Sequence, residues 1–115
     1  MINISSEAGK SPLPTGSVYS ATKAALDAIT VSLSKEFSGR NIRINSILPG
    51  VVETEGSTSA GFIGSEAETK FVANTPLGRT GQPDDIAKVA VFLASDDAGW
   101  ISGEKISVSG GIYGL

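Results

Sequence analysis

Met1-Ile2-Asn3-Ile4 is a short apolar stretch with strand character, broken by Ser5, Ser6 and a polar loop that runs to Thr15. Pro12 and Pro14 keep that loop out of a helix. From Val18 to Ser38 the apolar spacing becomes helical, with Leu26, Ile29, Leu33 and Phe37 in one stripe. Ala21, Ala24, Ala25 and Ala28 make a second stripe of small side chains that lets another helix or a sheet approach closely, and Gly39 is the expected stop. Ile42-Arg43-Ile44-Asn45-Ser46-Ile47-Leu48 reads as a strand ended by Pro49-Gly50. Residues 51–75 are rich in Gly, Ser, Thr and Glu, and after Val52 their only sizeable apolar side chains are Phe62, Ile63, Phe71 and Val72. A long mobile segment is expected there, with a short helix over Ser65–Ala73; loops of this length are usually functional or disordered. Gln82-Pro83-Asp84-Asp85 opens a second clear helix, since proline suits the first helical position and aspartates suit the positive end of the dipole. Ile86, Val89, Ala90 and Leu93 give that helix a core face, and Asp96-Asp97-Ala98-Gly99 ends it. Lys105–Ser109 is a last strand before Gly110-Gly111, and Trp100 is expected to pack near it.

The order β-α-β-loop-α-β predicts an α/β fold with a doubly wound parallel sheet. Its three strands lie near residues 2–5, 42–48 and 105–109, with helices 18–38 and 83–95 on opposite faces. At 115 residues the chain is a single domain, long enough for a modest core. With 40% hydrophobic residues, 18% charged residues and 14 glycines, it suits a compact fold rather than a disordered one.

Composition also removes several classes of chemistry. The net charge is −3 and no Lys/Arg cluster occurs, so nucleic acid is not an expected partner. There are no cysteines and no histidines, so disulfides, thiolate sites and imidazole ligands are excluded and no metal site is expected. No signal peptide is recognisable and no apolar run approaches the ~20 residues of a membrane helix, so a soluble cytoplasmic protein is the default expectation.

The chemistry concentrates in Gly16-Ser17-Val18-Tyr19-Ser20-Ala21-Thr22-Lys23. Tyr19 and Lys23 are four residues apart at a helix start, so phenol and ammonium project from one face. A cation beside a phenol favours the phenolate over its usual pKa of about 10, which lets the tyrosine exchange a proton with an alcohol or carbonyl near neutral pH. Ser6, thirteen residues before Tyr19, could bond the substrate oxygen, with Ser5 as the alternative. The blander reading makes Tyr19 an amphipathic helix residue, Lys23 a solvated lysine and Ser6 a loop serine. The company of Pro49-Gly50 favours the chemical one.

The chain resembles the short-chain dehydrogenase/reductase family through four landmarks in order. These are Asn3-Ile4-Ser5-Ser6-x-x-Gly9 with Tyr19-x-x-x-Lys23; Ile42-Arg43-Ile44-Asn45 leading to Pro49-Gly50-x-Val52-x-Thr54; Pro76-Leu77-Gly78-Arg79 with Gln82-Pro83-x-Asp85-Ile86-Ala87; and Ser102-Gly103-x-x-Ile106-x-Val108-x-Gly110-Gly111. A Tyr-x-x-x-Lys match alone is weak, whereas the ordered set over the whole chain is specific. Ser109 stands where many members have Asp.

The resemblance implies a partial Rossmann-like sheet and an NAD- or NADP-dependent oxidoreductase that interconverts a secondary alcohol and a ketone. Tyr19 would be the general acid/base, and Ser6 would orient the substrate oxygen. Lys23 would tune Tyr19 and bond the nicotinamide ribose. Val52 and Thr54 would contact the carboxamide, with Pro49 and Gly50 shaping the approach, although Thr54 could instead bond nearby backbone. Residues 55–75 would form the substrate loop. Val52-Glu53-Thr54-Glu55-Gly56 resembles members near the ketoacyl-carrier reductases and glucose dehydrogenases.

The likeness covers only the family's second half. The Gly-rich T-G-x-x-x-G-x-G turn that holds the pyrophosphate does not occur in the sequence. Residues 1–115 are therefore expected to be the carboxyl-terminal half of the domain, with Met1 an internal methionine or a misplaced start. On that reading the isolated chain binds dinucleotide weakly or not at all. It self-associates through the unpaired edge of strand 2–5 and the alanine face of helix 18–38, a helix that also takes part in subunit contacts in full-length relatives. A truncated remnant without turnover is the alternative to an enzyme.

Overall fold

A computed structural model describes residues 1–113. Strands β1 (Ile2–Ile4), β2 (Asn45–Pro49) and β3 (Lys105–Val108) form one parallel sheet in that order. Ile2 lies opposite Asn45, and Ile47 lies opposite Ile106. Because successive side chains alternate across a strand, Ile2, Ile47, Ile106 and Val108 share one face, while Asn3, Ser46 and Leu48 share the other. The four helices are α1 (Ser17–Glu36), α2 (Glu55–Ser59), α3 (Glu66–Ala73) and α4 (Pro83–Ala94).

Helix α4 covers the first face. Its start is fixed by Pro83 in the first turn and by Asp85, whose carboxylate accepts the Gln82 N–H at 2.7 Å. Leu93 is fully buried with Ile47 and Ala98, and Ile86, Val89, Ala90 and Ile101 pack around them. β2, the central strand, is buried on both sides, as a strand inside a covered parallel sheet should be.

Helix α1 covers the opposite face with a polar seam. Thr30 is wholly buried: its hydroxyl accepts from Asn3 Nδ2 at 2.9 Å and meets the Ser46 hydroxyl at 2.7 Å. The helix face turned inward carries Ser20, Asp27 and Thr30, whereas Ile29 of the apolar stripe is half exposed. The two helices thus lie on opposite faces of three parallel strands, as the order of elements predicts.

A tight contact holds the turn after β1 against α1. A Cβ on Gly9 would sit 2.8 Å from the backbone nitrogen of Ala24, closer than side chains tolerate, with rigid backbone as the obstacle. Gly9→Ala is expected to destabilise the fold by about 1–3 kcal/mol, read as a lower thermal midpoint. An unchanged midpoint would show that the turn can lift away without cost.

Four expectations need correction. The second strand starts at Asn45, because residues 42–44 serve other contacts. Arg43 reaches across to donate to the carbonyls of Leu93 at 2.8 Å, Ser95 at 3.2 Å and Ile101 at 3.2 Å. Its own carbonyl accepts from the Met1 amine at 2.7 Å. Helix α1 stops at Glu36, where the Phe37 N–H closes the last turn on Leu33, so Gly39 falls in a following 3-10 turn, Ser38–Arg40. Trp100 packs against nothing and is fully exposed. Residues 51–75 hold two helices, α2 as well as the expected α3, and Phe62 in the loop between them packs edge-to-face on Phe71 of α3.

Candidate active site

Ser5 and Ser6 follow β1, Gly50 follows β2, and the Lys23 ammonium reaches the Ile4 carbonyl, all at the carboxyl end of the sheet, where ligands bind in open parallel α/β sheets. β1 delivers Ser5 and Ser6 there. Ser5 is buried and donates its hydroxyl to the Lys23 carbonyl at 3.2 Å, so its proton is consumed in tying β1 to α1. Ser6 is extended and caps the 3-10 turn Glu7–Gly9 by accepting the Ala8 N–H at 3.1 Å. A hydroxyl that accepts from backbone keeps its own proton to donate. Of the two, Ser6 is the one whose hydroxyl proton is uncommitted.

Helix α1 supplies the other two groups. The Lys23 ammonium stands 5.7 Å from the centre of the Tyr19 ring and donates to the Ile4 carbonyl at 3.2 Å. Tyr19 is 54% exposed, with its ring held from one side by that cation. Ile4 and Ser5 on one side of Ser6, and Gly9 on the other, all contact the segment Lys23–Ala24. Ser6, Tyr19 and Lys23 are therefore carried by two segments locked to each other.

The end of β2 forms the neighbouring wall. Gly50 donates to the Val108 carbonyl at 3.0 Å, and a Cβ there would lie 2.8 Å from Ser109 Cβ. Glycine is what lets the chain leaving Pro49 pass β3. Val52 bridges to Gly81 and lines a 140 Å³ cavity with Leu77, Ile86 and Val108.

Thr54 has a local partner that its sequence spacing only half announces. Its hydroxyl accepts the Ser57 N–H at 3.1 Å, and the Ser57 hydroxyl accepts the Thr54 N–H at 2.8 Å. This reciprocal cap starts α2, and Ser57 is a residue that sequence reasoning missed. Thr54→Ala is expected to cost ~1 kcal/mol of local stability and to speed hydrogen exchange at the Ser57 amide. Unchanged protection would deny the cap any weight.

The 79–85 segment is pinned by a two-pronged ion pair. Arg79 bonds Asp85 at 2.8 and 3.0 Å while the same carboxylate caps α4. The Arg79 guanidinium, followed by the Gln82 N–H, holds the Asp85 carboxyl well below the usual carboxylate range. Its contribution is present above the unfolded value near 4 and is lost as pH falls through the lower folded one; at this exposed position solvent screens it. No helix among the described residues is long and apolar enough to cross a membrane.

The family described as enoyl-(acyl carrier protein) reductase matches residues 1–113. The chain belongs to the short-chain dehydrogenase/reductase family. An uncharacterised oxidoreductase of Methylorubrum extorquens is 56% identical over 97% of the chain. A 3-oxoacyl-(acyl-carrier-protein) reductase of Chlamydia trachomatis is 40% identical over 97% of it. Among solved structures, a short-chain type dehydrogenase/reductase from Mycobacterium ulcerans superposes with a TM-score of 0.91 at 33% identity, over 97% of this chain and 40% of that one. A 4-hydroxyisoleucine dehydrogenase mutant complexed with NADH and succinate gives 0.92 at 34% identity, over 99% of this chain and 46% of that one. The chain spans 45% of the Methylorubrum relative and 44% of the Chlamydia one. The sheet and its helices are thus those of a Rossmann-like short-chain dehydrogenase, in a family of oxidoreductases.

Proposed function

We propose that these residues form the catalytic segment of an NAD(P)-dependent oxidoreductase that interconverts a secondary alcohol and a ketone. The observation that carries this reading is the Lys23 ammonium over the Tyr19 ring, on a helix tied to the segment that carries Ser6, whose hydroxyl proton is left to donate. Ser6 holds the substrate oxygen, and Tyr19 takes its proton during oxidation or returns it during reduction. Lys23 orients Tyr19 and keeps donors for the ribose hydroxyls, since an ammonium has three and Ile4 uses one. Pro49, Gly50, Val52 and Thr54 line the nicotinamide side, which fits a wall that Gly50 keeps free of a side chain. The nicotinamide, when bound, supplies the hydride donor or acceptor.

In the same reading residues 1–115 are the carboxyl-terminal half of the domain, and the pyrophosphate is held elsewhere in the polypeptide. The substrate is a small molecule, in keeping with relatives whose names specify a hydroxyl or an oxo group, such as the 2-(S)-hydroxypropyl-CoM dehydrogenase of Xanthobacter autotrophicus. A homo-oligomer is supported by β1, which is an edge strand of the sheet among the described residues. A cytoplasmic setting belongs to the same reading.

The test is the oxidation of NADH or NADPH by the polypeptide that carries these residues, offered oxo-acyl thioesters, keto sugars and keto acids. Saturable turnover with one of them is expected. Its absence with every pair would favour a folded chain without turnover.

A further inference from the structure

Helix α1 lies over β2, where Thr30 meets Ser46, and a cavity is left on its β3 side. The register puts Lys105 and Ser107 of β3 on that same sheet face, opposite Ser46 and Leu48. The cavity measures 330 Å³, within the range of about 300–1,000 Å³ of small-molecule sites. Ala24, Ala28, Val31 and Leu48 give it an apolar lining, and three charged side chains complete it. These are Asp27 from α1, Lys10 from the loop after β1 and Lys105 from β3. Asp27 is 6% exposed, and its Oδ1 is buried without a hydrogen-bond partner. Taking a carboxylate out of water is costly unless something donates to it, and native folds rarely leave such a group unmet. No cation of the described residues answers it, since their ion pair is Arg79 with Asp85, in another part of the fold. The Lys10 ammonium leans towards the Ser107 hydroxyl at 3.5 Å instead, and Lys23, one turn before Asp27, donates to the Ile4 carbonyl. Glu7 and Ser20 also bury oxygens without partners, but neither lines this cavity.

We propose that this cavity binds a small ω-amino acid, with its ammonium on Asp27, its methylene chain along the apolar lining and its carboxylate towards Lys10 and Lys105. A carboxylate only accepts hydrogen bonds and an ammonium only donates them, so the two kinds of charged group select opposite ends of the ligand. The apolar residues among them favour an alkyl chain between those ends over a further polar group. A plain alkylamine leaves the lysines unanswered, and a plain carboxylic acid sets its charge against Asp27. Ser6, Tyr19 and Lys23 do not line the cavity, so the site stands apart from the activity proposed for them.

The experiment is calorimetric titration of the polypeptide that carries these residues with β-alanine, γ-aminobutyrate, δ-aminovalerate and ε-aminocaproate. Butylamine and butyrate serve as probes with a single charge. One chain length is expected to bind with a dissociation constant below about 1 mM, and each single-charge probe roughly tenfold more weakly or worse. Asp27→Asn keeps the side-chain shape and removes the charge. Because Oδ1 makes no hydrogen bond in the fold, the thermal midpoint should hold or rise. Affinity should fall roughly ten- to hundredfold, as for a lost bond between charged groups. Lys105→Met, at an exposed position, should weaken binding about two- to fivefold. Tyr19→Phe should leave it unchanged. Binding of none of the four amino acids, or binding undiminished in Asp27→Asn, would overturn the proposal. So would equal binding of butyrate, or loss of binding in Tyr19→Phe, which would place the ligand at the proposed catalytic groups instead.

Discussion

Tyr19→Phe is expected to lower turnover by about 10²–10⁴-fold while leaving nucleotide affinity nearly unchanged, because positioned proton transfer contributes that much. The substitution removes one oxygen and nothing else. The ring stays under the Lys23 ammonium at 5.7 Å, and α1 loses no hydrogen bond, since Thr22 bonds the Tyr19 carbonyl rather than its phenol. Folding is therefore not at issue. Steady-state rates beside a fluorescence titration with reduced nucleotide separate the two quantities, and turnover within about tenfold of the native protein would remove Tyr19 as general acid/base.

Lys23→Ala should behave differently, lowering both turnover and nucleotide affinity. The ammonium ties three things together: the Tyr19 face, the Ile4 carbonyl at 3.2 Å and, in the proposed complex, the ribose. Hydrogen bonds from charged groups contribute about 1.5–3 kcal/mol, so affinity should fall roughly ten- to hundredfold. A dissociation constant equal to that of the native protein would leave Lys23 as a support for β1 only.

The pairing of Tyr19 with Lys23 was legible because helical spacing puts i and i+4 on one face whatever else the chain does. The parallel pairing of the strands and the opposite placement of α1 and α4 were legible for a similar reason, since β-α-β connections admit few topologies. What the sequence hid were contacts between distant residues. Ile42-Arg43-Ile44 has the pattern of a strand, but Arg43 spends its guanidinium on carbonyls 50 and 52 positions away. Helix α1 carries an apolar stripe, yet it turns Ser20, Asp27 and Thr30 inward, and of these Thr30 finds its polar partners in Asn3 and Ser46 on the sheet. Periodicity reports that a helix is amphipathic, not which surface its neighbours demand. Gly9 and Gly50 look like loop glycines until the backbone at Ala24 and the side chain of Ser109 are found in the space a Cβ would need. Thr54-Glu55-Gly56-Ser57 did carry its signal, a hydroxyl residue three before another, and that spacing could have placed the start of α2.

A crystal structure of the polypeptide that carries these residues, with reduced nicotinamide nucleotide and a ketone substrate, tests the central claim most directly. The account predicts the nicotinamide against Pro49–Val52, the Lys23 ammonium on its ribose, and the ketone oxygen within about 2.6–3.2 Å of both the Tyr19 and Ser6 hydroxyls. A nucleotide bound with its nicotinamide away from Tyr19, or a ketone oxygen that meets neither hydroxyl, would contradict it.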